Sequence, residues 1–184
     1  MKILSIAVPC YNSQDYMEHC VETLLTGGEK VEIIIVDDGS KDGTAEIADR
    51  LAEKYPTIIK AVHQENGGHG EAVNTGIKNA TGVFFKVVDS DDWLGEEALA
   101  TLLEKLEMFS NSGEDAVNVP DLVLCNYIYD KVGVKNKKVI SYKGYLPLNR
   151  TFTWKDVKKM PPGKYMTMHA CVYRTEVLRE SHLV

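Results

Sequence analysis

The stretch VFFKVVDSDDWL (Val83–Leu94) decides the fold of this 184-residue chain, because an apolar run ends abruptly in three carboxylates. Residues 83–88 form a short run rich in β-branched and aromatic side chains, which predicts a buried strand. Open α/β sheets bind ligands at the carboxyl ends of their strands, so the carboxylates are expected at such an edge. Alternate side chains of an extended segment project to the same side, so Asp89 and Asp91 can share a divalent cation that carries a diphosphate.

The same residues have a structural interpretation. Aspartate is a common helix N-cap and is stabilised in the first turn of a helix, so the cluster is also typical of a solvated acidic turn. Asp92 in particular is assigned to a helix cap. The indole of Trp93 is assigned to the core.

Two other strands are predicted to end in polar residues. The apolar run Val31 to Val36 stops at Asp37-Asp38-Gly39-Ser40, and the run Ile3 to Val8 stops at Pro9-Cys10-Tyr11-Asn12-Ser13. A helical pattern follows each of the three strand ends. Three such ends favour a single ligand site built on one edge of a sheet.

The alternation of strands and helices predicts an α/β fold, with a mainly parallel sheet and helices on both faces. Helical patterns cover about residues 14–25, 44–55, 70–79 and 96–109. Later in the chain, the patterns at 122–129 and 166–173 each predict one further strand.

Four motifs in order resemble the family 2 inverting glycosyltransferases, which have the GT-A fold. The motifs are IAVPCYNS (6–13), IIIVDDGSKDGT (33–44), ENGGHGEAVNTG (65–76) and VVDSDDWL (87–94). The resemblance runs with family-like spacing over about residues 3–110 and fades after Asn111. It implies one GT-A domain over residues 1–184, with a nucleotide-sugar-binding half at 1–110 and the start of an acceptor-side half at 111–184.

The resemblance also implies roles for residues in a UDP-sugar site. Asp38 is expected to accept a hydrogen bond from the uracil ring N–H, and Tyr11 to stack on the base. Asp37 orients its loop in this reading, with an Asx-turn before Gly39 as the structural alternative. The remaining expected donor-site residues are Pro9, Asn74, Asp89 and Ser90.

A divalent cation, Mn²⁺ or Mg²⁺, is expected at the DxD motif. Asp91 is expected to bind the cation directly, with Asp89 close to the ribose or to a metal-bound water. Some GT-A enzymes complete the metal shell with a histidine from a late strand, and His169 lies in such a segment. A lone histidine is also common as an ordinary core or surface residue.

The sequence departs from the family pattern at two points. Many relatives carry Ala-Arg-Asn where this chain has Ala72-Val73-Asn74, so a cationic contact is missing and Asn74 either touches ligand or ties loops together. No catalytic base is assigned, because the family's acidic base lies in a later motif that is expected beyond Val184. The chain is therefore expected to bind donor and to transfer sugar poorly.

Two other functions stay open. One is a non-catalytic nucleotide-sugar-binding fragment or pseudoenzyme, which a missing base would favour. The other is a sugar nucleotidyltransferase, which needs a Gly-rich loop with Arg or Lys after the first strand. The segment Pro9 to Asn12 lacks those residue types.

Composition limits the location and the partners. The net charge of −6 argues against nucleic-acid binding. The chain has no apolar stretch of about 18 residues and no signal peptide before the first strand, so a cytoplasmic protein is expected. Four cysteines without metal-ligand spacing indicate buried reduced thiols in that compartment.

The acceptor is expected to be a saccharide or a lipid-linked molecule, as in polysaccharide biosynthesis. Residues 131–164 contain ten Lys or Arg and one acid, Asp156. This basic segment is either a solvated face or a surface that meets an anionic acceptor or phospholipid headgroups. The second reading places the protein against the cytoplasmic face of a membrane.

Overall fold

The structure is a computed structural model that describes residues 1–110, 119–130, 133, 136–157, 160, 162 and 165–181. The described residues contain β1 Leu4–Cys10, β2 Val31–Asp38, β3 Ile59–Gln64, β4 Phe84–Val87, β5 Leu122–Leu124, β6 Tyr127–Tyr129, β7 Lys138–Ile140 and β8 Cys171–Arg174. They also contain the α-helices α1 Met17–Leu25, α2 Thr44–Lys54, α3 His69–Asn79, α4 Glu96–Ser110 and α5 Thr175–Glu180.

The main sheet has six strands in the order β3-β2-β1-β4-β8-β5. The first four strands are parallel, and β8 runs antiparallel to both β4 and β5. In register, Ala7 of β1 lies between Ile34 of β2 and Val87 of β4. The carboxyl ends of β1, β2 and β4 therefore meet at one edge, and the expected α/β fold is confirmed.

Helices cover both faces of the sheet, which explains the continuous apolar runs of its central strands. Ile33 and Ile35 of β2 pack on the face that carries α1, α2 and α4, while Ile34 and Val36 pack on the face that carries α3. All four side chains are fully buried. A strand with only one covered face would have alternated apolar and polar residues.

Three local expectations were wrong. Residues 122–129 form two strands in two sheets, because the chain leaves β8 after Cys125 and Asn126 turns toward the segment after β7. The segment 166–173 contains a 3-10 helix, Met168–Ala170, and becomes a strand only at Cys171. Trp93 is 46% exposed and lies against His19 rather than in the core.

No helix among the described residues is long and apolar enough to cross a membrane. All four cysteines are free thiols, and three of them are buried. Parts of the basic segment 131–164 lie outside the described residues, so its expected membrane contact stays a prediction.

A glycine fixes how closely α3 approaches the sheet. A Cβ at Gly76 would lie 2.5 Å from the Cβ of Ala7, whereas a Cβ at Gly70, in the same helix, would meet nothing within 4 Å. We therefore expect Gly76→Ala to lower the free energy of unfolding by about 1–3 kcal/mol through overpacking. Gly70→Ala is the matched control and should be neutral or stabilising by up to about 1 kcal/mol. Urea denaturation of the two variants measures the difference, and equal stabilities would contradict the close approach.

Candidate functional site

Hydrogen bonds between loops hold the carboxyl edge of the sheet together. The loop after β1 is bound to the loop after β2, because Ser40 Oγ accepts from the Asn12 N–H at 3.0 Å and Asn12 Oδ1 accepts from the Lys41 N–H at 2.9 Å. It is also bound to the loop after β4 by the hydroxyl pair Ser13–Ser90 at 2.9 Å. Asn12 has a φ of 51°, a left-handed conformation that asparagine tolerates better than most residues.

Asp38, at the end of β2, is a buried carboxylate that shapes the next loop. Its Oδ1 accepts hydrogen bonds from Gln64 Nε2 at 2.7 Å and from the Gly67 N–H at 2.8 Å. Its Oδ2 accepts from the Gly68 N–H at 2.8 Å. Burial raises the pKa of Asp38, but these hydrogen bonds outweigh burial and the net pKa is lowered. Asp38 is therefore held as an anion, with acceptor capacity left on Oδ2.

Asp37 faces away from Asp38 and anchors two neighbours. Its Oδ1 accepts from the Ser40 N–H at 3.1 Å, which holds the turn around Gly39. Its Oδ2 lies 3.1 Å from His63 Nδ1 on β3, and the other nitrogen of that ring lies 3.0 Å from Asp49 on α2. Asp37 thus orients its loop, in agreement with both readings of the sequence.

Carboxylates and a histidine meet at the end of β4. His169 Nδ1 lies 3.2 Å from Asp92 Oδ2 and 3.9 Å from Asp89 Oδ2. One ligand atom from each of the three side chains lies within 4.8 Å of the others, so the group can hold a metal ion. Two carboxylates and one imidazole suit a divalent cation such as Mn²⁺, which accepts oxygen ligands readily and tolerates nitrogen.

Two basic side chains support this group. His69, the first residue of α3, places Nε2 at 2.8 Å from Asp89 Oδ1. Lys86, buried in β4, donates from Nζ to the backbone oxygen of His169 at 2.7 Å. Burial lowers the pKa of Lys86 from its ordinary value. The lysine therefore fixes the backbone of His169 from inside the sheet.

The acidic side chains of the group and of its neighbour Asp91 repel one another. Burial raises the pKa of Asp92, the charge of His169 opposes this rise, and the nearby charges of Asp91 and Asp89 add to it. A bound cation would relieve that repulsion. On β1, burial raises the pKa of the Cys10 thiol to about 12, so this thiol stays protonated and unreactive near the site.

The structure places most of the predicted site residues at one edge. Tyr11 is 49% exposed beside this edge, Pro9 is buried in β1, and Ser90 is buried against Ser13. Asn74 lies on α3 and donates to Glu71 at 3.3 Å. Their assigned contacts with donor stay predictions.

The metal group differs from the predicted one in a single carboxylate. Asp91 is exposed and is outside the group of described residues that can hold a metal, so its role as a ligand stays a prediction. Asp92 is in the group instead. Its assignment as a helix cap was wrong, because the first α4 bond runs from the Leu99 N–H to the Gly95 oxygen.

Sequence reasoning missed His69, Lys86 and His63 as neighbours of the site carboxylates. The Gly68-His69-Gly70 segment signalled a close backbone approach, and the histidine inside that segment was the available clue.

With this fold and this edge, the chain has the features of a GT-A domain. The family model described as Glycosyl transferase family 2 matches residues 5–180, and the chain belongs to that family.

Known proteins resemble the chain over part of their length. Glycosyltransferase GlyG of Streptococcus pneumoniae is 38% identical over 133 residues, which cover 71% of this chain and 41% of GlyG. The structure of S. aureus TarS 1-349 in complex with UDP superposes with a TM-score of 0.66 at 25% identity, covering 98% of this chain and 49% of that one. Mannosyltransferase PcManGT from Pyrobaculum calidifontis, in complex with GDP-Man and Mn²⁺, has a TM-score of 0.53 at 26% identity, covering 66% and 34% of the two chains. The chain thus spans half or less of these relatives.

The Asp37–His63–Asp49 contacts make part of the stability depend on pH. Hydrogen bonds from Asp37 and then Asp49 raise the pKa of His63 above 6.5, against the opposing effect of burial. A raised pKa in the folded state means that protonated His63 stabilises the fold below about pH 6.5, and that this stabilisation is lost as the pH rises through the folded pKa. We expect His63→Gln to remove that step from a plot of melting temperature against pH.

His19→Gln, on α1, is the matched control and should leave the step in place. An unchanged step in His63→Gln would mean that another group causes it. Following the His63 ring protons by NMR through the same pH range reports the folded pKa directly.

Proposed function

We propose that this chain is the donor-binding part of an inverting glycosyltransferase that uses a UDP-sugar, a divalent cation and a hydroxyl acceptor. One observation carries the proposal: the buried anion Asp38 and the Asp89–Asp92–His169 group lie on one sheet edge of a family 2 chain. A base pocket and a cation site on one sheet edge are what the two ends of a nucleoside diphosphate require. The UDP complex of TarS supports the choice of nucleotide.

The base is bound between β1 and β2 in this proposal. The exposed ring of Tyr11 offers a stacking face, and buried Pro9 fixes the backbone that carries the tyrosine. Asp38 Oδ2 has acceptor capacity beyond the Gly68 N–H, and a uracil ring N–H can donate to it. Cytosine has an acceptor at that ring position, so an ionised carboxylate there would repel it.

The ribose and the diphosphate lie toward β4. Asp89 is 26% exposed and can reach a ribose hydroxyl or a cation ligand, while Ser90 holds its loop against Ser13. Asp37 acts by orienting the loop after β2. Asn74, in the second turn of α3, is the remaining side chain that we assign to donor binding.

The cation is Mn²⁺ or Mg²⁺, held by Asp89 and His169 together with Asp92 or Asp91. The imidazole in this set favours Mn²⁺, since Mg²⁺ strongly prefers oxygen ligands. When bound, such a cation neutralises the diphosphate that leaves during sugar transfer. Lys86 prepares the site for this charge, because its ammonium group holds the backbone oxygen of His169 at 2.7 Å.

The acceptor half is assigned to residues 111–184, with the donor half at 1–110. Tyr127 of β6 lies against His169, with ring centroids 5.7 Å apart. The ring of Tyr129 packs edge-on against the ring of Tyr127, with centroids 5.4 Å apart. We assign these rings, which lie beside the cation group, to the aromatic surface that binds a saccharide acceptor. We also assign the basic segment 131–164 to the binding of an anionic or lipid-linked acceptor. No residue is assigned as the base that removes the proton of the acceptor hydroxyl.

The first test asks whether UDP binding requires the cation and which aspartate supplies the ligand. We expect calorimetry to detect UDP binding with Mn²⁺ and to find it weakened by EDTA. Asp92→Asn should weaken binding about 10-fold or more, equivalent to ~1.4 kcal/mol or more, because a charged ligand is lost. The same measurement on Asp91→Asn decides between the two carboxylates, since Asp91 lies outside the metal group of the described residues.

A larger loss from Asp91→Asn would restore Asp91 as the ligand. Equal binding with and without EDTA would refute the cation's role.

The second test concerns the choice of base. Wild-type protein should bind UDP more tightly than CDP, and Asp38→Asn should remove most of that preference. Asp42→Asn is the control on the same loop, where the carboxylate accepts from the Gln14 and Thr44 N–H groups. Competition binding with the two nucleotides measures the ratio, and an intact preference in Asp38→Asn would place the base pocket elsewhere.

A further inference from the structure

A histidine outside the metal group contacts one of the carboxylates of that group, Asp89. His69 Nε2 lies 2.8 Å from Asp89 Oδ1, and because an ionised carboxylate only accepts, the imidazole donates. We propose that His69 is a positioning residue, which holds Asp89 so that its second oxygen faces the cation. This inference rests on the proposed function of the site and adds a residue to which that function gives no role of its own.

The two oxygens of Asp89 have different neighbours. Oδ1 is occupied by His69, and Oδ2 lies on the side of His169, 3.9 Å from its Nδ1. With Oδ1 fixed, rotation of the carboxylate about its own axis would break a charge-assisted hydrogen bond. The contact therefore selects the orientation in which Oδ2 points into the metal group.

His69 acts through Asp89 rather than by ligating the ion. Among the described residues, the group whose ligand atoms lie within 4.8 Å of one another contains Asp89, Asp92 and His169 but not His69. Carboxylates that ligate a metal are usually held by a hydrogen bond from an outer residue, and removing such a partner typically costs 10–100-fold in metal affinity or activity.

The position of His69 in the chain makes the contact more than a local one. The two residues before it, Gly67 and Gly68, donate their N–H groups to Asp38. Within three consecutive residues, the backbone thus binds the carboxylate of the base pocket, Asp38. The side chain of the third residue binds the carboxylate of the cation site, Asp89. The segment 67–69 fixes the distance between the two ends of the donor site.

The experiment compares His69→Ala with His69→Gln, whose side-chain amide can place a donor near the position of Nε2. UDP binding is measured by calorimetry at increasing Mn²⁺ concentrations, and binding of uridine, which lacks phosphates, is measured without metal. We expect His69→Ala to raise the half-saturating Mn²⁺ concentration by about 10- to 100-fold. Uridine affinity should stay at the wild-type level, and His69→Gln should recover most of the metal dependence.

A purely structural role of His69 would weaken uridine binding and UDP binding to the same extent, and that result would overturn the inference. So would an unchanged Mn²⁺ requirement in His69→Ala when the wild type is metal-dependent. Wild-type UDP binding that ignores Mn²⁺ would instead overturn the proposed function. Melting temperatures of the three proteins confirm that each variant is folded when it is measured.

Discussion

The parallel ladder that joins β1 to β2 on one side and to β4 on the other decides where each site residue lies. Its register sets Cys10 beside Asp37 and Ala7 beside Val87, so Tyr11, Asp38 and Asp89 all emerge at one edge. Backbone hydrogen bonds of a buried ladder cannot slip by one residue without turning every apolar side chain to the other face. The fully buried isoleucines of β2 therefore hold the acidic strand ends in place from within the two core clusters of the sheet.

The architecture of the edge followed from the sequence because its causes are local. Continuous apolar runs indicate strands buried on both faces, and an abrupt change to Asp, Asn and Ser marks where such a strand ends. The contact of Asp37 with its own turn was expected from its motif, and the place of His169 near the acidic cluster from the family resemblance. Their roles toward donor and cation stay predictions. The contact of Asp37 is made three positions along the chain, with Ser40. A histidine near the acidic cluster was a residue type that the ordered motifs had already suggested.

The arrangement inside the cation group could not be predicted in the same way. The sequence reasoning assumed that an extended backbone continues through Asp91, so that alternate carboxylates share a side. The chain instead turns at this point, with the Asp92 N–H bonded to the Asp89 oxygen at 2.9 Å, and Asp92 joins the metal group. His69 and Lys86 escaped notice for another reason: their contacts connect residues 20 and 83 positions apart, which no periodic pattern encodes.

The antiparallel strand β8 has a consequence for the order in which the molecule assembles. Phe84 pairs with Arg174 across 90 positions of sequence, and the Thr175 hydroxyl donates to the Gly82 oxygen across 93. The neighbouring parallel pairs β1–β2 and β2–β3 close much shorter loops, which lose less chain entropy and form earlier on average. β4, which precedes both carboxylates of the cation group, pairs with β1 across 80 positions, nearly as far as β8 reaches to pair with β4. His169 follows both carboxylates in the sequence, so a nascent chain would carry a partial, acidic cation group until β8 adds the histidine.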